Sequence, residues 1–242
     1  MHIFKTVLAM IMTCMLQLPA TSSAAEEIRF AISIPDVNRP STTIAQKILQ
    51  YAYARLGIKL DFIATPGVRA QAMWSSGQLD GIAARVIDGG LPDSIKISVP
   101  IVLEESVVYA IDKKFVVNGY DSLNPYLIGY ISGFPYLEER LKNAPRKEHA
   151  PNLESLFRKL EAGRTEIAVE SRFSSCLTHK LGFHNITMLE PSLEKVYGYH
   201  VLHIKHKQIA PALELVLKNM EKDGVIKNIQ DEIMRDYMAQ CS

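Results

Sequence analysis

The sequence predicts an α/β protein of two similar lobes joined by two crossover strands, with a ligand cleft between the lobes. Three observations predict it. Strand and helix patterns alternate from Ile28 to Ala84, the alternation resumes at Leu127, and the segment Met73–Ala83 is echoed in character by Lys159–Val169. Strands separated by helices of this length pair in parallel and carry the helices on the faces of the sheet. Each echoed segment is a helix end, a Gly, a three-residue turn to an acid and an apolar strand, and we read the pair as two similar units.

The chain opens on Lys5, an apolar run from Val7 towards Leu18 and the small residues Thr21-Ser22-Ser23-Ala24-Ala25. A basic start, an apolar stretch too short to span a bilayer and a small-residue site predict a signal peptide over 1–25 and export to the periplasm. Its removal takes Lys5 and no acid, which brings the 27 basic and 26 acidic side chains of the whole chain into balance. A neutral chain without charge runs argues against nucleic acid or an anionic membrane as partner. With 242 residues, 48% of them hydrophobic and 22% charged, the chain has the make-up of a soluble folded protein. A monomer is expected.

After the signal peptide, Ile28–Ile34 reads as a strand and Pro35 to Pro40 interrupt it. Thr42 or Thr43 is expected to cap a helix over Ile44–Leu56, where Ile44, Ile48, Leu49, Ala52 and Leu56 share a face and Gly57 stops the turn. A strand at Ile58–Ile63, a short helix at Val68–Ser76 and a strand at Gly81–Ala84 complete a βαβαβ order, and a further strand is expected at Ser106–Ile111. The second series has strands at Leu127–Ile131 and Glu166–Val169 and helices at Tyr136–Leu141, Leu153–Ala162 and Phe173–Leu181. A strand at Tyr197–Ile204 and helices at Ile209–Lys222 and Val225–Met238 close the chain. The expected division is 26–111 plus 200–242 for the first lobe and 112–199 for the second.

Several residues carry possible chemistry. Arg85 follows a buried strand at the edge where open α/β sheets take ligands, and its planar fork suits a carboxylate; the alternative is a surface ion pair with Asp88 or Asp93. Ser132 and Gly133 precede a helix start, where free N–H groups favour an anionic ligand group. Glu170, at the end of the matching strand of the second lobe, and Arg172 beside it are candidates for ligand contact or for solvated loop positions. Trp74 is the lone Trp and either stacks on a ligand or fills the core, and Tyr199 lies in the second crossover. His200, His203 and His206 are spaced so that strand geometry points neighbours of the set to opposite faces, so no metal site is expected. No G-x-S-x-G, H-E-x-x-H or P-loop motif is present, and neither catalysis nor a cofactor is expected. Once the signal peptide is gone the cysteines are Cys176 and Cys241, and an oxidising compartment predicts a bridge between them. The rival is a buried Cys176 and a frayed Cys241.

Taken in order, the strand Ile28–Ile34, the turn Gly77-x-x-Asp80-Gly81, the segment Ile128-Gly129-Tyr130-Ile131-Ser132-Gly133, the segment Leu160-x-x-Gly163-x-x-Glu166 and the ending Leu217–Gly224 resemble the family 3 extracellular solute-binding proteins, of the type II periplasmic-binding fold. The resemblance implies a cleft that closes by hinge motion on a small polar ligand, an amino acid or a related carboxylate or amine, and delivery to an inner-membrane ABC-type importer. It also implies cleft positions at Asp36 and Asn38 after the first strand, and an ammonium-binding role for Glu170, where the family has Asp. The pattern differs at Pro92, where the family often has a carboxylate-binding Arg, and at Phe134-Pro135, where a Thr usually opens the helix. A stand-alone module that signals to a membrane sensor, and a dehydratase-like enzyme on the same fold, are the other functions the resemblance admits.

Overall fold

The computed structural model describes residues 27–34, 39–86 and 91–241. The expected signal peptide, Asp36, Asn38 and Asp88 lie outside the described residues. The chain runs β1 (Glu27–Ile34), α1 (Pro40–Ala54), β2 (Lys59–Pro66), α2 (Gly67–Ser75), β3 (Gly81–Val86), β4 (Ser94–Ala110), β5 (Ile128–Ile131), α3 (Pro135–Arg140), β6 (Lys147–Ala150), α4 (Leu153–Glu161), β7 (Ile167–Ser171), α5 (Ser174–Lys180), β8 (Thr187–His203), α6 (Ala210–Lys222) and α7 (Val225–Ala239). No helix among these residues is long and apolar enough to cross a membrane.

Helix α1 starts two residues before the expected threonine cap. Arg39 is its N-cap, with extended backbone and no side-chain cap bond, and Pro40 occupies the first turn, where its fixed φ suits a helix and its missing N–H costs nothing. The predicted face is the buried one, with Ile48, Leu49 and Ala52 fully covered. The two echoed helix ends have the same local chemistry. Gly77 (φ 70°) and Gly163 (φ 66°) both take the left-handed conformation. Gln78 N donates to Met73 O (2.9 Å) and Arg164 N to Lys159 O (2.9 Å), closing the same C-terminal cap in each lobe.

The eight strands form one sheet in the order β2-β1-β3-β8-β4-β7-β5-β6. Strands β1, β2 and β3 are parallel at one end and β5, β6 and β7 at the other. Between them, β4 and β8 are antiparallel neighbours of 17 residues each. At ~3.3 Å per residue such a strand is over 50 Å long, enough to run through two cores. Ile97, Ile101 and Val102 of β4 sit in the first core with Leu49, Leu202, Leu213 and Leu217. Further along, Val107 and Tyr109 face α4 in a second core, while Val108 and Ala110 face Leu123 and Leu137 on the opposite side of the sheet. Burial on both faces is why Val107–Ala110 reads as an unbroken apolar run.

The last helix ties the halves together. Ile226 and Ile229 of α7 belong to the first core. Its far end reaches α5, where the Tyr237 hydroxyl donates to Phe173 O (2.8 Å) and Cys241 is bonded to Cys176, with Cα atoms 5.2 Å apart.

Candidate functional site

A cavity of about 420 Å³ lies between the two cores. The start of α1 (Arg39, Ser41, Thr42, Ala45), the inner face of α2 (Ala70, Gln71, Trp74) and the end of β3 (Ile82 to Val86) supply one wall. Gly133, Phe134, Pro135 and Tyr136, at the start of α3, supply the other. Val102 and Glu104 of β4 and Gly198 of β8 form the floor. The start of α1 and the ends of β1 and β3 meet there because parallel strands deliver every following helix N-terminus to one edge of the sheet.

Arg39 is the charged centre of this site. Its guanidinium crosses from the first half to the carboxylate of Glu170 in β7 and lies over the Phe134 ring, 4.6 Å from the centroid. Both partners are nearly dry, with side-chain exposures of 13% for Arg39 and 2% for Glu170. Glu170 Oε1 also accepts from Ser171 N (2.7 Å). The Ser171 hydroxyl donates to Glu104 Oε2 (2.8 Å), so the two acids share one serine. Lost hydration pushes the Glu104 carboxyl above its ordinary range, against the pull of Arg39 and of the Ser41 and Ser171 hydroxyls. Loss of hydration likewise lowers the Arg85 guanidinium.

Of the residues expected from sequence, Arg85, Trp74 and Gly133 line the cavity. The Arg85 side chain has no ion pair or hydrogen bond among the described residues, Asp93 included. Trp74 is 2% exposed, donates from Nε1 to Pro92 O (2.9 Å) and packs on His203, so it is at once core and wall. Glu170 stands behind Arg39 and is not itself a lining residue. The N–H groups of Ser132 and Gly133 are not free for an anion, because they donate to Ala150 O (3.1 Å) and Glu138 Oε1 (3.0 Å). Arg172 is held outside the cavity by Glu105 (2.7 Å) and both oxygens of Glu190 (2.6 and 3.0 Å), which raises its guanidinium. Tyr199 is turned to the other face of β8, under Lys96 Nζ at 3.7 Å, and it is Gly198 that meets the cavity.

Sequence reasoning missed Arg39, Glu104, Phe134 and Tyr136. A signal existed for two of them: Arg39 directly precedes a proline that opens a helix, and Glu104 interrupts an apolar strand.

The three histidines have separate partners. His200 contacts the Tyr53 hydroxyl (3.0 Å) and Ile82 O (2.8 Å), His206 pairs with Asp80 (2.7 Å), and His203 accepts from Lys205 N (3.3 Å). Among the described residues no group of three or more His, Cys, Asp or Glu side chains is placed to hold a metal ion.

No family model matches the chain. An uncharacterized protein of Shewanella oneidensis is 24% identical over 241 residues, covering 89% of this chain and 91% of that one. Among solved structures, a histidine kinase sensor domain with similarity to periplasmic binding proteins aligns with TM-score 0.71 at 14% identity, over 86% of this chain and 96% of its own. The GluR0 ligand-binding core in complex with L-glutamate aligns with TM-score 0.68 at 11% identity, over 87% and 98%. The substrate-binding protein of an amino acid ABC transporter aligns with TM-score 0.67 at 16% identity, over 86% and 99%. Identities this low speak for architecture alone, and the architecture is that of the type II periplasmic-binding-protein fold.

Proposed function

We propose that this is an exported solute-binding protein, monomeric in the periplasm, which closes its two lobes over a small solute and passes it to an ABC-type importer. The observation that carries the reading is the cavity walled from both cores, with Arg39 and Arg85 on one side and Phe134 and Tyr136 on the other. The lobe boundary is proposed to cross the long strands where one core gives way to the next, at Leu103–Ser106 of β4 and Glu194–Tyr197 of β8. A bound solute at about 100 times its dissociation constant adds roughly 2.7 kcal/mol of stability. For a chain of this size that is about 5–10 °C in Tm. Small-angle scattering of the best thermal-shift hit should show compaction. A hit that stabilises without compaction would end the closing-cleft reading.

A second reading is a binding module that reports to a membrane sensor. It is favoured by two solved neighbours, the histidine kinase sensor domain and the periplasmic VFT2 domain of BvgS from Bordetella pertussis. In-cell crosslinking separates the two, since the closed protein should capture permease subunits in the first case and a kinase in the second. Catalysis is not proposed, although one neighbour is an ancestral amino acid-binding protein described as a precursor of cyclohexadienyl dehydratase. Glu170 is covered by Arg39, and Glu104 on the cavity floor already accepts from the Ser171 hydroxyl.

A further inference from the structure

Four ionisable side chains define the cleft electrostatically: Arg39, Arg85, Glu104 and Glu170. Both acids already face a cation. Glu170 accepts from Arg39 and from Ser171 N, and it is Arg39, not Glu170, that forms the cavity wall. Glu104 accepts from the Ser171 hydroxyl and lies within the field of the same guanidinium. A ligand ammonium entering the cavity would reach Glu170 only past Arg39, and would meet Glu104 on the floor within the field of Arg39 and in the presence of Arg85. Like charges brought together in a water-poor site are strongly unfavourable. A carboxylate meets the reverse situation. Arg85 lines the cavity without an ion-pair partner among the described residues, and a guanidinium fork matches a carboxylate with two parallel hydrogen bonds. Most of the remaining lining is aliphatic or aromatic, with Val102, Phe134 and Trp74 among it, and its polar members are Ser41, Thr42, Gln71 and Glu104.

We propose that the ligand is a monocarboxylate with an apolar body and no ammonium group, held by Arg85, and that Arg39 occupies the position at which an amino acid would present its amine. The proposal rests on the reading of the chain as a solute-binding protein and narrows its substrate class.

The test uses compounds that share a skeleton. 3-Phenylpropionate is L-phenylalanine without its ammonium, 2-phenylethylamine is the same body without its carboxylate, and octanoate replaces the ring by an alkyl chain. Calorimetric titration of the exported protein should show 3-phenylpropionate or octanoate binding at least about tenfold more tightly than L-phenylalanine, with no binding of the amine. Arg85→Gln should weaken the carboxylate by at least about tenfold, with Arg85→Lys in between. Arg39→Gln should uncover Glu170 and shift the preference towards L-phenylalanine, an exchange that a merely unstable variant would not show. Tighter binding of L-phenylalanine or of a polar amino acid to the wild type overturns the proposal; if that amino acid also compacts the protein, the solute-binding reading survives. No heat from 3-phenylpropionate or octanoate up to about 10 mM also overturns it. A carboxylate that binds without compaction supports the substrate class and removes hinge closure instead.

Discussion

Arg39 and Glu170 come from different cores, and this makes the consequence of separating them unusual. When one member of a dry ion pair is removed from a site that cannot relax, the uncompensated charge costs about 3–5 kcal/mol. In a chain of this length that would be roughly 6–20 °C in Tm. A two-lobed molecule has another response. Rotation of the lobes returns Glu170 to water, so the loss to folding is bounded by whatever closure itself was worth. Arg39→Gln is therefore expected to lower Tm by less than about 5 °C. It should also raise the radius of gyration of the ligand-free protein above the wild-type value, since the latch biases the ligand-free wild type towards closure and a ligand completes it. Glu170→Gln should do the same, and the double variant should differ little from either single one, because all three remove one latch. A pair within one lobe serves as control: Lys159→Gln loses the part-exposed contact to Glu148 and a hydrogen bond to His149 O (2.8 Å), together worth about 2 kcal/mol at most, and should leave the radius unchanged. Scattering and circular dichroism on the same samples decide the matter. If Arg39→Gln costs 10 °C or more, the order of a rigid buried pair, and the radius stays at the wild-type value, the two residues belong to one rigid body and the latch does not exist.

His200 is fully buried between the Tyr53 hydroxyl and Ile82 O, and burial lowers it to about 4. The unfolded chain, with an ordinary value near 6.5, takes up the proton first, so stability falls as pH drops from about 6.5 towards 4, by at most roughly 3 kcal/mol; urea titrations should show this slope, and His200→Gln should flatten it. Gly129→Ala would put a Cβ 2.9 Å from Leu156 Cδ1 and 3.1 Å from Thr165 Oγ1, where β5 meets α4. It should cost about 1–3 kcal/mol, read as a lower urea midpoint at constant slope, and an unchanged midpoint would mean that helix and strand are further apart. Replacing Cys176 and Cys241 by serine opens a closure of 65 residues and should remove up to about 4 kcal/mol of stability while leaving ligand affinity within about twofold. A large affinity change would show that the bridge constrains closure.

Local chemistry was legible wherever it is short-range. The helices of both lobes, the paired glycine caps and the strand order from β1 to β3 follow from periodicity and turn residues, which act over a few positions. The near half of β4 and the first half of β8 did not show. Ser94–Pro100 carries two serines, a lysine and a proline, and Thr187–Lys195 contains Pro191 and three charged residues. Such segments are strands only because of distant partners, Ser94–Pro100 lying against Tyr199–His203 and Thr187–Lys195 against Glu105–Ala110, a tertiary fact with no local period. Strand β6 (Lys147–Ala150) is a four-residue edge that exists by pairing with β5. The site divides in the same way. That Arg85 and Trp74 line the cavity was legible because sheet topology says which strand edge opens on a crevice. Arg39 could not be placed from sequence, since its partner is 131 positions away. Arg172 and Tyr199 do not line the cavity, because proximity in sequence to a cleft strand does not say which face a side chain takes.

A bridge from α7 to α5 at first conflicts with a molecule that is proposed to bend between its lobes. The register of β4 against β8 shifts between Lys96 and Pro100, between Pro100 and Val102, and again between Ser106 and Val108. Bulges are where paired strands bend and twist most readily. They bracket Leu103–Glu105, the stretch between the two cores, so this is where rotation would be absorbed. Glu105 in that stretch accepts through its main-chain O from Arg172 N (2.8 Å) and through its carboxylate from Arg172 Nε (2.7 Å). The next residue, Phe173, takes the Tyr237 hydroxyl, and Cys176 follows within one turn. The contact between α7 and α5 is thus anchored directly on the segment proposed to bend. Points close to a rotation axis move least, so a covalent tie there restrains twisting and separation of the lobes while permitting them to open and close. The same geometry puts Glu104, the acid that floors the cavity, inside the segment proposed to bend, so a ligand that changed its surroundings would act directly on the strands proposed to flex.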